Sequence, residues 1–295
     1  MVPLMLAIVA SCTRNVASAG VDHVHPDGSR ATESGTQPVA TSSSQGTSLP
    51  AGATDVAQRL ASSPRHSEWV MIRTGSDSVR AWVVYPERRE RALVIVVIHE
   101  IFGLTSWIRG VADQLAADGF IAIAPDLLTG KTRIHPDSAG SDAREVIRTL
   151  NPDDVHRQLA AVGQYGIRLP AALPRYGVVG FCWGGSASFQ HAVRSPAGFG
   201  AAVVYYGASP PTGQLSSIRV PVLGLYGSDD ARVNATVPPA DSAMRALGKS
   251  FTHHTYEGAG HGFLRAQEGK EGANLAATRQ AWPATLTFFR RHLGS

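Results

Sequence analysis

Cysteine and lysine are both scarce in this sequence. Its 295 residues contain two cysteines, Cys12 and Cys182, and the lysines are Lys131, Lys249 and Lys270 alone. Two cysteines cannot build a disulfide framework, so the fold must rest on a core of its own. With so few lysines, the positive charge sits on scattered arginines. The formal charge of +4 and a pI near 9.3 therefore do not gather into a basic stripe, and nucleic acid is not an expected partner. The N-terminal apolar run "VPLMLAIVA" is far below the roughly 20 residues that a membrane-spanning helix needs. What is present is ample apolar material: 43% hydrophobic against 17% charged residues, enough for one substantial α/β domain with a tail.

The tail comes first. The run up to Ala10 fits the apolar region of an export signal, and Val9-Ala10-Ser11-Cys12 resembles the bacterial lipobox, in which cleavage precedes a cysteine that is then lipidated. A positively charged start is missing, and a cut after Ala17-Ser18-Ala19 is the alternative. The expectation is a signal over residues 1–19 and a flexible Ser/Thr/Gly/Pro-rich tether over 20–66. A folded domain over 67–295 follows. It also puts the mature protein outside the cytoplasm, as a periplasmic or cell-envelope lipoprotein anchored through Cys12. A monomer is expected. His23 and His25 in the tail read as solvated bystanders rather than metal ligands. If Cys12 is removed or lipidated, Cys182 has no disulfide partner.

From Ser67 onward, strands alternate with helices. "WVMIR" and "RAWVVYP" read as a leading hairpin, whereas "ALVIVVIHE" and "FIAIAP" are continuous apolar runs suited to strands buried on both faces. The helical "TSWIRGVADQLAADG" lies between them, and a helical pattern covers Ser141 to Gly166. Then come the strand "YGVVGF", a helix after Cys182, the strands "AAVVYYG" and "VPVLGLYG", and a helix around Ser242 to Leu247. The strand "FTHHTYEG" and a last helix from about Leu275 to His292 complete the series. Such alternation implies a mostly parallel central sheet with helices on both faces, where chemistry collects beyond the carboxyl ends of the strands.

Four apolar strands end in reactive residues. One ends at Glu100, one turns at Cys182, one reaches Asp229 and Asp230, and the last arrives at His261. Gly180-Phe181-Cys182-Trp183-Gly184 is a G-x-C-x-G frame between strand and helix. Its glycines suit a strained elbow, and the helix N-terminus that follows favours a thiolate. The bland readings are that Cys182 is buried filler, that Glu100 only pairs with Arg265, and that Phe102, Trp183 and Tyr206 are core aromatics. His99, His191, His253 and His254 read as strand-end, helix and surface residues.

The order cysteine, acid, histidine, each after a strand, is that of the α/β-hydrolase fold. Together "IHEIFGL", "GFCWGG", "YGSDD" and "GAGHGFLR" resemble the dienelactone hydrolase (carboxymethylenebutenolidase) family over roughly Ser67 to Leu293. The resemblance implies that Cys182 is the nucleophile, His261 the general base and acid, and Asp230 the residue that orients His261. It also implies that Glu100 helps to deprotonate the cysteine. Arg265 would pair with Glu100 or with a substrate carboxylate, and the backbone N–H groups of Ile101 and Trp183 would form the oxyanion hole. Apart from the resemblance, Phe102, Trp183 and Tyr206 at strand ends are expected to line an apolar substrate pocket if they are not core. No metal or organic cofactor is implied, and the partner is a small ester or lactone. The segment "PDLLTGKTR" departs from the family pattern, with Gly130 where a second arginine is expected and Lys131 and Arg133 nearby. The alternatives are a broader carboxylesterase or thioesterase on the same fold, or a non-catalytic tethered protein that binds ligands or reacts through its thiol.

Overall fold

The computed structural model describes residues 49–131 and 141–294. The expected signal, the lipobox around Cys12, most of the tether and Arg133 lie outside the described residues. Among the described residues no helix is long and apolar enough to cross a membrane.

The continuous apolar runs become strands. The strands are β1 (Ser67–Thr74), β2 (Asp77–Val84), β3 (Ala92–Ile98), β4 (Ile121–Asp126), β5 (Ala172–Phe181), β6 (Phe199–Tyr205), β7 (Val222–Asp229) and β8 (Phe251–Gly260). They form one sheet in the order β1-β2-β4-β3-β5-β6-β7-β8. β1 with β2 and β2 with β4 pair antiparallel; all later pairs are parallel. Every residue of β3 and β6 is buried, because these central strands are covered on both faces.

The helices are α1 (Val56–Ala61), α2 (Ser106–Ala117), α3 (Ser141–Thr149), α4 (Pro152–Ile167), α5 (Trp183–Arg194), α6 (Ala231–Asn234), α7 (Val237–Ala246) and α8 (Ala273–Leu293). They sort by face. Val56 of α1, Trp107 and Leu115 of α2, and Trp282 and Phe289 of α8 share one apolar cluster. Leu159 of α4, Phe189 of α5 and Met244 of α7 share the cluster on the other face. At one close approach of helix to sheet, a Cβ on Gly163 would stand 2.3 Å from the Tyr176 ring.

Three boundaries differ from the expectation. The helical pattern of 141–166 is two helices, because the Asn151 side chain accepts from the Asp153 N–H at 2.8 Å and Pro152 opens α4, a start signal that also stops α3. α7 begins at Val237, earlier than the expected helix near Ser242. The tether expectation is corrected from residue 49 onward. Val56 is buried against α2, where a Cβ on Gly110 would lie 2.2 Å from its side chain. Ahead of α1, the Ala53 N–H donates to the Arg265 carbonyl at 2.9 Å and the Gln267 side chain donates to the Pro50 carbonyl at 2.8 Å. Residues 50–54 thus lie along the loop that follows β8.

Candidate active site

The elbow is built by close backbone approach. Cys182 has φ 56° and ψ −116°, a left-handed conformation that a side-chain-bearing residue adopts only where its surroundings hold it. A Cβ on Gly180 would stand 1.9 Å from the Gly184 carbonyl oxygen, and one on Gly184 would stand 2.4 Å from that of His99. The G-x-C-x-G glycines are therefore required by packing. The Cys182 N–H donates to the Tyr205 carbonyl at 3.1 Å, tying the turn to β6. Burial raises the thiol pKa most, and the Glu100 charge raises it further. The Trp183 N–H, Arg232 and the Ile101 N–H act the other way by favouring the thiolate. The two N–H groups expected to form an oxyanion hole thus both face the sulfur.

Glu100 lies beside that sulfur and is only 4% exposed. Burial pushes its carboxyl up to about 7, opposed by Arg265, whose Nε lies 3.0 Å from Oε2. That N–H does not make an aligned hydrogen bond, so the contact is chiefly Coulombic. The Arg265 guanidinium also sits 4.9 Å from the centre of the Phe102 ring. Phe102 is therefore a platform beside the carboxylate rather than core filling.

His261 and Asp230 arrive from the ends of β8 and β7. His261 Nδ1 lies 2.5 Å from Asp230 Oδ2, with the imidazole side chain 34% exposed and the carboxylate only 8% exposed. Asp229 points away and pairs with Lys270 at the surface. The Asn234 side chain donates to the Gly227 carbonyl at 2.8 Å, tying α6 to the end of β7 just ahead of the two aspartates. Tyr206, at φ 41°, places its ring 5.1 Å from that of His261 and is fully buried. Its hydroxyl has no hydrogen-bond partner among the described residues. No hydrogen bond joins Cys182 to His261 among the described residues; the sulfur faces Glu100 and the backbone instead.

A model of the dienelactone hydrolase family matches residues 79–293. The chain belongs to that family. It is accordingly an α/β-hydrolase-fold hydrolase of the carboxymethylenebutenolidase type. A Saccharolobus solfataricus protein provisionally named carboxymethylenebutenolidase is 28% identical over 248 residues, covering 72% of this chain and 94% of its own. One from Methylorubrum extorquens, named in the same way, is 32% identical over 211 residues, covering 67% and 72%. The crystal structure of a provisionally named dienelactone hydrolase from Klebsiella pneumoniae superposes with a TM-score of 0.67 at 26% identity, covering 76% of this chain and 98% of that one.

Within the dienelactone hydrolase family fold, the chain carries features near these groups that its motifs do not reveal. Arg144 of α3 places a second guanidinium 4.8 Å from the Phe102 ring centre. Nothing in its surroundings in the sequence marks it. Arg232, two residues after Asp230, brings positive charge towards the thiol. His99 is fully buried, its Nδ1 lies 2.7 Å from the Glu100 carbonyl, and its ring stacks on Trp183 at 5.5 Å. Burial lowers its pKa, so it braces the site as a neutral ring. His191 lies in the core and His254 on β8, away from these groups. Among the described residues no cluster of three or more His, Cys, Asp or Glu could hold a metal ion.

Proposed function

We propose that this dienelactone hydrolase family member cleaves a small carboxylic ester or lactone by acyl transfer through Cys182. The observation that carries the reading is the pairing of two half-sites. A strained thiol faces the N–H groups of Ile101 and Trp183, and His261 is held on Asp230 at 2.5 Å. The thiol proton passes to Glu100, whose pKa of about 7 makes it a far better acceptor than an ordinary carboxylate. The thiolate attacks the carbonyl carbon, and the resulting oxyanion is held by the two backbone donors. Collapse breaks the C–O bond, and the leaving oxygen takes its proton through His261, to which Glu100 has relayed it. His261 then draws a proton from water as the water oxygen attacks the thioester. The second tetrahedral intermediate expels the Cys182 sulfur, which recovers that proton, and the acid is released. Asp230 orients the imidazole through its Nδ1. Arg265 holds Glu100 and, with Phe102, borders the substrate.

The test is Cys182→Ala with a chromogenic acetate ester. Sustained hydrolysis should vanish while the fold persists by circular dichroism, and iodoacetamide should inactivate the wild-type enzyme. Near-normal kcat in the alanine variant removes Cys182 from the chemistry and favours a non-catalytic thiol.

A further inference from the structure

A cavity of about 270 Å³ opens beside the elbow, and the chemistry above makes no use of it. Leu150, Pro152, Val155, Ala187, Pro210 and Pro211 supply its apolar wall, and the Trp183 side chain borders it. Trp183 belongs to both places, because its N–H faces the Cys182 sulfur while its ring forms part of the cavity wall. The cavity is preformed. The Ala208 N–H donates to Ser186 Oγ at 2.9 Å and the Ser209 N–H to Thr236 Oγ1 at 3.0 Å, so the segment leading to the two prolines is pinned to α5 and to the residue before α7. An apolar, preformed hollow next to reactive groups is the usual form of a ligand site, and this one is just below the roughly 300 Å³ at which drug-sized pockets begin.

Its position decides which part of a substrate it takes. The cavity lies between α4 and α5, on the sheet face whose cluster includes Val155 and Ala187. His261 belongs to a loop whose Phe263 and Leu264 pack into the cluster on the opposite face. The carbon under attack carries the sulfur, the oxyanion, the leaving oxygen and the acyl substituent. The oxyanion is held at Ile101 and Trp183, and the leaving oxygen must meet His261. The acyl substituent is then directed to the other side, towards α4 and α5.

We propose that this cavity is an acyl pocket, and that the substrate is an open-chain ester of an apolar carboxylic acid of medium length. The proposal rests on the thiol hydrolase reading above and specifies its substrate class. Burying one methylene is worth about a fourfold gain in kcat/KM if the pocket grips it in the transition state.

The experiment measures kcat/KM for p-nitrophenyl acetate, butyrate and hexanoate, and for hexyl acetate, in wild type, Ala187→Leu and Leu150→Ala. In wild type, kcat/KM should rise about fourfold per acyl methylene. Ala187→Leu fills the hollow from a residue outside the catalytic groups. It should leave acetate and hexyl acetate within about twofold while hexanoate falls at least roughly tenfold, the reverse of the gain expected from two to four buried methylenes. Leu150→Ala enlarges the hollow and should move the optimum to longer acyl chains, which keeps the proposal testable if the leucine variant fails to fold. A flat acyl profile with acetate still hydrolysed overturns the acyl pocket and leaves the thiol hydrolase intact. Sensitivity of hexyl acetate rather than hexanoate to Ala187→Leu overturns the acyl assignment. No turnover of any ester, acetate included, overturns the open-chain ester assignment, and no turnover of a small lactone by the same preparation overturns the underlying reading as well.

Discussion

Two histidine sites in this molecule have opposite surroundings. At the ends of β7 and β8, His261 keeps one ring nitrogen on a carboxylate and a third of its side chain in solvent. Between α4 and α5, His156 and His191 stack at 5.8 Å, and the Nε2 of the second shares a hydrogen bond with the Tyr176 hydroxyl at 3.2 Å. Burial lowers their pKa values to about 4 and about 3; the nearby Arg194 lowers that of His156 further, while Asp153 partly opposes this. The buried pair therefore stays neutral at physiological pH. The acid–base role proposed above falls to His261, the one of the three that keeps a carboxylate on its ring nitrogen and water within reach. His156 and His191, enclosed and neutral, serve as packing rings.

The sharpest way to break this contrast is at the carboxylate. Asp230→Asn should cost kcat on the order of 10⁴, the loss known for the equivalent change in a serine triad. Asp229→Asn, which removes only a surface ion pair, should stay within about twofold. The reverse ranking would mean that the 2.5 Å contact is not the one that matters.

The next effect is a pH dependence. If Glu100 accepts the thiol proton, the acid limb of kcat/KM should centre near 7, where its carboxyl titrates, and Glu100→Gln should abolish that limb together with most of the rate. The same group acts on stability with a definite sign. Below about 4.5 it is protonated in both the folded and unfolded states. Between there and about 7 the folded state keeps a proton that the unfolded chain releases, so raising the pH favours unfolding across that window. The two buried histidines run the other way. Their folded pKa values lie below the ordinary 6.5, so stability is complete above 6.5 and is lost as the pH falls towards 4 and 3. Thermal midpoints across pH 3–8 for wild type and Glu100→Gln separate the two: the alkaline decline should vanish in the variant and the acid decline should remain.

The smallest effect is at His191→Phe, which deletes one buried contact to Tyr176. It should lower stability by about 1 kcal/mol, shrink the acid decline, and leave kcat within about twofold. A large loss of kcat there would mean that the α4–α5 interface reaches the chemistry through more than packing.

The strands and the residues at their ends could be read from sequence because both are local. Continuous Val/Ile runs mark strands buried on both faces, and a G-x-C-x-G frame needs only five consecutive positions. Arg144 could not be found in this way, since nothing local says that α3 brings it over Phe102. The cavity beside Trp183 is assembled from α4, α5 and the loop after β6, and only the packed fold brings these together. α1 was missed for a different reason. Its six residues carry one turn-spaced pair of large apolar side chains, Val56 and Leu60, within a stretch whose composition otherwise reads as unstructured. Tertiary burial of Val56, rather than helix propensity, holds it in place.

The hydrogen bonds of residues 50–54 have a mechanical consequence. The chain enters the domain by gripping the loop that carries Arg265, through Ala53 to its carbonyl, Thr54 to Glu268 at 2.5 Å, and Gln267 to Pro50. Load applied upstream of residue 49 therefore acts in shear on that small clasp before it reaches any strand of the sheet. The clasp includes Arg265, whose guanidinium lies against Glu100, and begins four residues after His261. Whatever restrains the chain ahead of residue 49 thus bears on the loop that carries Arg265.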